Sequence, residues 1–114
     1  MRGRLARGAD ALDAVRAAFP PGSMTGAPKR AAMQLLDRLE HVRRGIYSGA
    51  LGYFDVFGGA DLCVVIRSAI LAGGRAWLHA GGGIVADSLP FCEHAEAEQK
   101  LAPLLRALAE AEDR

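Results

Sequence analysis

Glu93, Glu96 and Lys100 stand at i, i+3 and i+7 in one continuous stretch, and on a helix that spacing places all three within about 60 degrees of one another around the axis. Two carboxylates held close together do not both stay ionised unless a cation lies near them, and a hard, oxygen-seeking ion such as Mg2+ suits the purpose. Such an ion keeps several waters and takes one or two protein carboxylates, which leaves positions for a ligand's own oxygens. The same spacing also describes a solvated helix face on which Glu96 and Lys100 form an ordinary i, i+4 pair, and spacing alone favours that simpler description.

Arg67 follows Cys63, Val65 and precedes Ala69 in an alternating segment, so on a strand it points with apolar neighbours. A guanidinium there needs an anion, and its planar fork suits a carboxylate. An acidic ligand and an ion pair with Asp55 or Asp61 are competing partners. Tyr47 could add a phenolic hydroxyl to the same anion or serve as packing. Gly81, Gly82 and Gly83 have no Cβ atoms to keep an anion from backbone amides, although a bend in a strand accounts for them equally well. No Gly-Lys-Ser/Thr follows them, so they do not form a nucleotide P-loop. His41, His79 and His94 show no zinc-ligand spacing with Cys63 and Cys92. No nucleophile elbow is present, and Ser23 sits in a loop without an evident histidine partner.

These residues need elements to position them. Leu12, Val15 and Phe19 recur at helical spacing over residues 10–19, and Pro20, Pro21 and Gly22 end that helix. A small-residue loop over 22–26 leads to a second helix over about 27–40, with Pro28 in its first turn and Ala32, Met33, Leu35, Leu36 and Leu39 along one stripe. Three β-rich segments follow, over about 47–57, 61–71 and 75–80, divided by Gly58-Gly59 and Gly73-Gly74. They predict a three-stranded antiparallel meander with tight glycine turns. A long C-terminal helix over about 91–112 closes the chain, with Pro103 expected to kink or divide it. The fold class is therefore α+β, with a basic lead-in over residues 1–9 that carries Arg2, Arg4 and Arg7.

The 114 residues suit one compact domain, and a composition 51% hydrophobic and 24% charged is that of a folding chain. A formal charge of +1 offers no broad basic surface, which argues against a nucleic-acid partner. Arg67 interrupts the longest apolar stretch, so no membrane span is expected. Two cysteines and the absence of an apolar leader point to a reducing cytoplasm.

Taken in order, Gly22-Ser-Met-Thr-Gly-Ala-Pro-Lys29, Arg43-Arg-Gly-Ile-Tyr-Ser-Gly-Ala-Leu-Gly-Tyr-Phe54, Val65-Ile-Arg-Ser68, Ala80-Gly-Gly-Gly-Ile-Val-Ala-Asp-Ser88 and Glu93-x-x-Glu96-x-x-x-Lys100 resemble the chorismate-utilising enzymes over about residues 10–110. Within that family the wording around Ser23 and Thr25 is most similar to the aminodeoxychorismate synthase component I type, with anthranilate synthase component I the next resemblance. The resemblance implies a partial chorismate-binding fold over 10–114, Mg2+ on Glu96 and Glu93, and a catalytic role for Lys100 beside them. It further implies that Tyr47 and Arg67 hold the enolpyruvyl carboxylate of chorismate, that amides around Gly81 and Gly83 assist, and that Ser23 lines the pocket. The implied activity is the amination of chorismate on the route to para-aminobenzoate and folate, with a glutamine amidotransferase supplying ammonia. Members of the family carry an upstream part with a catalytic histidine, a further metal-binding glutamate and, in the aminodeoxychorismate type, a nucleophilic lysine. No counterpart occurs in these residues, so the expectation is that they need a chain bearing that part to turn chorismate over. A non-catalytic remnant with a sticky surface is the competing expectation.

Overall fold

The computed structural model describes residues 3–112; Arg2 of the basic lead-in lies outside them. The chain divides into two compact units, one ending at Val64 and the other starting at Val65. Both mix helices with antiparallel strand pairs, which makes the chain α+β.

The first unit opens with α1 (Ala11–Ala18). Its start is set by a reciprocal capping box: the Asp13 amide donates to Asp10 Oδ1 at 2.9 Å and the Asp10 amide donates to Asp13 Oδ2 at 3.2 Å. The small-residue segment expected to be a loop instead winds into one helical turn, α2 (Gly22–Thr25). Gly26 stops it at φ 94°, donating its amide to Gly22 O at 2.7 Å, a conformation that a side-chain-bearing residue rarely adopts. Next comes α3 (Lys29–Leu39), with Pro28 as its N-cap rather than in its first turn. Lys29 reaches back to donate to Ala18 O at 3.0 Å, tying the start of α3 to the end of α1. Ala32 and Leu36 are the half-buried positions of its apolar stripe.

The strands differ from the expected meander. β1 (Ala50–Phe54) and β2 (Ala60–Val64) form one antiparallel pair, with Gly52 opposite Leu62. In the second unit β3 (Ala69–Ala72) and β4 (Arg75–Leu78) form another. The segment expected as a single middle strand thus breaks in two at residues 65–68. Arg67 causes the break: its φ of 53° lies in the left-handed region, where a chain cannot continue extended. Gly73-Gly74, both at positive φ, make the expected two-residue turn. The Gly58-Gly59 turn is longer, and the Asp55 carboxylate organises it by accepting the Phe57 and Gly59 amides, each at 2.8 Å.

α4 (Pro90–Glu112) runs as one helix through Pro103, which does not divide it. Its length of 23 residues supplies enough flanking hydrogen bonds to outweigh the one that proline removes. No helix among the described residues is long and apolar enough to cross a membrane. Nor is any apolar side chain among them fully buried, and Val56 and Phe57 at the tip of the first hairpin are 94% and 95% exposed.

Candidate functional site

In the second unit the start of α4 faces the glycine segment that follows β4. Pro90 opens the helix where an amide hydrogen has no partner to lose, and the Cys92 and Glu93 amides donate to Leu89 O at 2.9 and 3.1 Å. Ser88 stands just ahead. Its hydroxyl accepts the Val85 amide at 3.0 Å and donates to Glu93 Oε1 at 2.6 Å. That uses one oxygen of Glu93 and leaves Oε2 beside Gly82, where a Cβ would come within 2.8 Å of it and 4.0 Å of Glu96 Oε1. Gly82, and not Gly83, where an added Cβ would meet nothing within 4 Å, is therefore the glycine on whose bareness this approach of the carboxylates depends.

Lys100 sits one turn beyond Glu96, pairs with it, and donates from Nζ to Gly81 O at 2.8 Å. The lysine is thus a strut between α4 and the glycine segment. Its hydrogen bond, then its charge, holds the Glu96 carboxyl below the usual carboxylate range, and the positive field of Arg67 lowers it further. The face predicted from the i, i+3, i+7 spacing exists, and the ordinary Glu96–Lys100 pair is part of it.

Arg67 departs from its expected setting. It is exposed, lies in the bend between β2 and β3, and does not point from a strand among apolar neighbours. Asp55, one of its suggested partners, spends its carboxylate on the amides of its own turn. A non-glycine residue held at positive φ costs about 1 kcal/mol or more and often marks a functional position. The neighbouring Ser68 hydroxyl braces the bend by donating to Ile66 O at 3.0 Å.

The donor set is of the kind Mg2+ takes: two carboxylates on adjacent turns, with one oxygen of Glu93 directed at the space above Gly82. Among the described residues no group of three or more His, Cys, Asp or Glu side chains gathers to hold a metal ion. Cys63 and Cys92 are free thiols at exposed positions. His94 lies 3.6 Å from Glu98 on the exposed side of α4.

In the first unit Tyr47 lies in a turn over residues 45–48 and not in a strand. Its amide donates to Arg44 O at 3.1 Å, and the Arg44 guanidinium stacks 5.8 Å from its ring centre. Arg44 forks onto both oxygens of Glu40, with Nε to Oε2 at 2.7 Å and NH2 to Oε1. Those bonds raise the guanidinium pKa against the opposing effect of partial burial, and the charge of Glu40 adds to the rise. A further nitrogen of the fork donates to Met24 O at 2.8 Å and to the Ser48 hydroxyl at 3.1 Å. Ser48, at φ 69°, and Thr25 are the two buried polar residues among those described. An open groove of about 480 Å³ runs past Thr25, Met33, Leu36, Arg44, Tyr47 and Ser48. Ser23 is exposed on α2, one residue before the carbonyl that Arg44 holds.

Sequence reasoning missed Ser88, Arg44, Glu40 and Ser48, and it placed Gly82 against an anion and not against the two carboxylates. Ser88 was legible as the hydroxyl before a proline-started helix, and Glu40 with Arg44 as an i, i+4 pair. The bond from Arg44 to Met24 O joins positions twenty residues apart, and no local signal announces it.

Residues 1–106 match the family described as chorismate binding enzyme, and the chain belongs to that family. It is 48% identical to anthranilate synthase component 1 of Mycobacterium tuberculosis over 96% of this chain and 21% of that protein. It is 50% identical to anthranilate synthase component 1 of Thermococcus kodakarensis over 93% of this chain and 24% of that protein. To the aminodeoxychorismate synthase of Streptomyces griseus it is 53% identical, over 92% of this chain and 14% of that protein. The chain spans about a fifth of the length of the curated relatives it matches first.

Proposed function

We propose that this chain is the C-terminal part of the chorismate-binding domain of an aminodeoxychorismate synthase component I, occupying residues 10–114 behind a basic lead-in. In this reading it takes part in aminating chorismate to 4-amino-4-deoxychorismate, for para-aminobenzoate and folate. The net reaction forms a carbon–nitrogen bond to ammonia and breaks the ring C4–oxygen bond, the hydroxyl leaving as water. A glutamine amidotransferase supplies the ammonia, and a polypeptide bearing the upstream part of the fold completes the catalytic centre.

The observation that carries the reading is the clustering of Glu93 and Glu96 above Gly82, braced by Ser88 and Lys100. Glu93 and Glu96 would hold Mg2+, which as a Lewis acid would withdraw electrons through a substrate carboxylate. Lys100 keeps Glu96 ionised and the Gly81 carbonyl turned toward α4. Arg67 would hold the enolpyruvyl carboxylate with its planar fork, assisted by the amides of Gly81 and Gly83. Tyr47 and Ser23 keep, within the first unit, the substrate contacts that the resemblance gives them.

Relatives bearing the anthranilate synthase name favour a second reading, in which the product is anthranilate for tryptophan synthesis. The aminodeoxychorismate assignment is supported by Ser23 and Thr25, where anthranilate synthases more often carry Thr and Ser. Supplying the chain with the upstream part of the domain, Mg2+, ammonia and chorismate, and separating the products by chromatography, decides between them. Aminodeoxychorismate is expected. Anthranilate as the product would overturn the finer assignment, and consumption of chorismate undiminished by Glu96→Gln would overturn the site.

A further inference from the structure

We propose that Arg44 is a positioning residue that locks the Tyr47 turn to α2, so that the segments bearing Tyr47 and Ser23 are presented as one rigid unit. Its relevance to chorismate rests on the function proposed above; the lock itself does not.

Four different groups converge on this guanidinium. Glu40, the C-cap of α3, receives two of its bonds and fixes the plane of the fork. With that plane fixed, the remaining nitrogen donates both to Met24 O, beside Ser23, and to the hydroxyl of Ser48, beside Tyr47. The flat face of the cation then lies over the Tyr47 ring. One side chain thereby spans three segments: the end of α3, the α2 turn and the turn over residues 45–48. Its own side chain is 27% exposed, so the bonds are partly shielded from water and stronger than those of a freely solvated pair.

The two turns are otherwise held by their own backbone hydrogen bonds and, in α2, by the Thr25 hydroxyl, which donates to Pro21 O at 3.3 Å. α2 is a single helical turn without a side-chain cap. The second turn carries Ser48 at a φ of 69°, a conformation that costs free energy and persists only where surrounding contacts enforce it. The Arg44 bond to the Ser48 hydroxyl is such a contact. A lysine at position 44 would keep the charge but could not fork onto Glu40 while also reaching Met24 O and Ser48.

Amide hydrogen exchange on the ligand-free chain tests the lock. In Arg44→Lys and Arg44→Met the Gly26, Tyr47 and Gly49 amides, which close the two turns, should exchange about tenfold faster, and together, as expected for loss of a charge-assisted bond. Amides of α1 and of the β1–β2 pair should stay within about twofold. Glu40→Gln, which leaves the bonds to Met24 O and Ser48 in place, should give an intermediate rise and keeps the test usable if Arg44→Met fails to fold. Turns that respond independently, full rescue by lysine, or a uniform rise throughout the first unit would each overturn the lock. A second arm measures chorismate affinity of the chain joined to the upstream part, with Mg2+ present, and Arg44→Lys should weaken it about tenfold as the two segments lose register. Affinity unchanged in a variant whose turns have loosened overturns the positioning role. Absence of chorismate binding by the unsubstituted chain joined to the upstream part counts against the proposed function alone.

Discussion

Replacing Gly82 by alanine tests the carboxylate site at its tightest point. The added Cβ would stand 2.8 Å from Glu93 Oε2 and 4.0 Å from Glu96 Oε1. Ordinary carbon–oxygen contact then requires the Glu93 carboxylate to retreat by about 0.6 Å. That movement strains a Ser88–Glu93 hydrogen bond of 2.6 Å, carrying it past the limit of about 3.0 Å where hydroxyl–oxygen bonds weaken. Gly82 does not have a positive φ, so alanine meets no backbone penalty and reduces the entropy of the unfolded chain, a gain of about 0.4–1 kcal/mol. The weakened hydrogen bond opposes that gain by about 1 kcal/mol at a partly exposed position. The two effects offset, and stability should change by less than about 1 kcal/mol. Mg2+ affinity should nonetheless fall roughly tenfold if Glu93 holds the ion as proposed, because the contact that orients its carboxylate has been displaced. Calorimetric titration with MgCl2, alongside thermal unfolding followed by circular dichroism, separates the two quantities. Unchanged affinity in Gly82→Ala, in a chain whose Glu93→Gln variant binds Mg2+ more weakly, would refute the claim that bareness at this position sets the site.

Three further outcomes are expected. The Glu96 pKa is depressed, so the stabilisation from its pairing with Lys100 is complete above the usual carboxylate range and is lost as pH falls through the lowered value; in Lys100→Met, carboxyl NMR should find the Glu96 midpoint at higher pH, and an unmoved midpoint would contradict the strut. Asp55→Ala removes the acceptor for the Phe57 and Gly59 amides and should destabilise the first hairpin by about 1–2 kcal/mol in urea unfolding, with Asp61→Ala as a near-neutral comparison. With no apolar side chain fully buried among the described residues, and Val56 and Phe57 almost wholly exposed, the chain should associate as its concentration rises; size-exclusion chromatography showing a monomer at every concentration would count against this.

Much of this protein was legible in its residues because the signals are local. The helix period around Leu12 and Val15, the glycine pair that makes the turn from β3 to β4, and the shared face of Glu93, Glu96 and Lys100 each follow from backbone geometry over a few positions. Other features were decided by contacts between segments. The alternation through residues 61–71 reads as one strand, but Arg67 adopts a left-handed conformation and ends it, a choice that no periodicity reveals. The Gly-Ser-Met-Thr stretch reads as a loop by composition, yet Gly26 and the bond from Arg44 to Met24 O make it a helical turn. Pro103 reads as a break, yet one missing hydrogen bond does not divide a 23-residue helix. Residue types and their spacing thus determined which groups could act on an acidic ligand. Only the folded chain decided that Ser88, Gly82 and Arg44 hold those groups in place, because hydrogen bonds and close approaches between distant segments leave no period in the sequence.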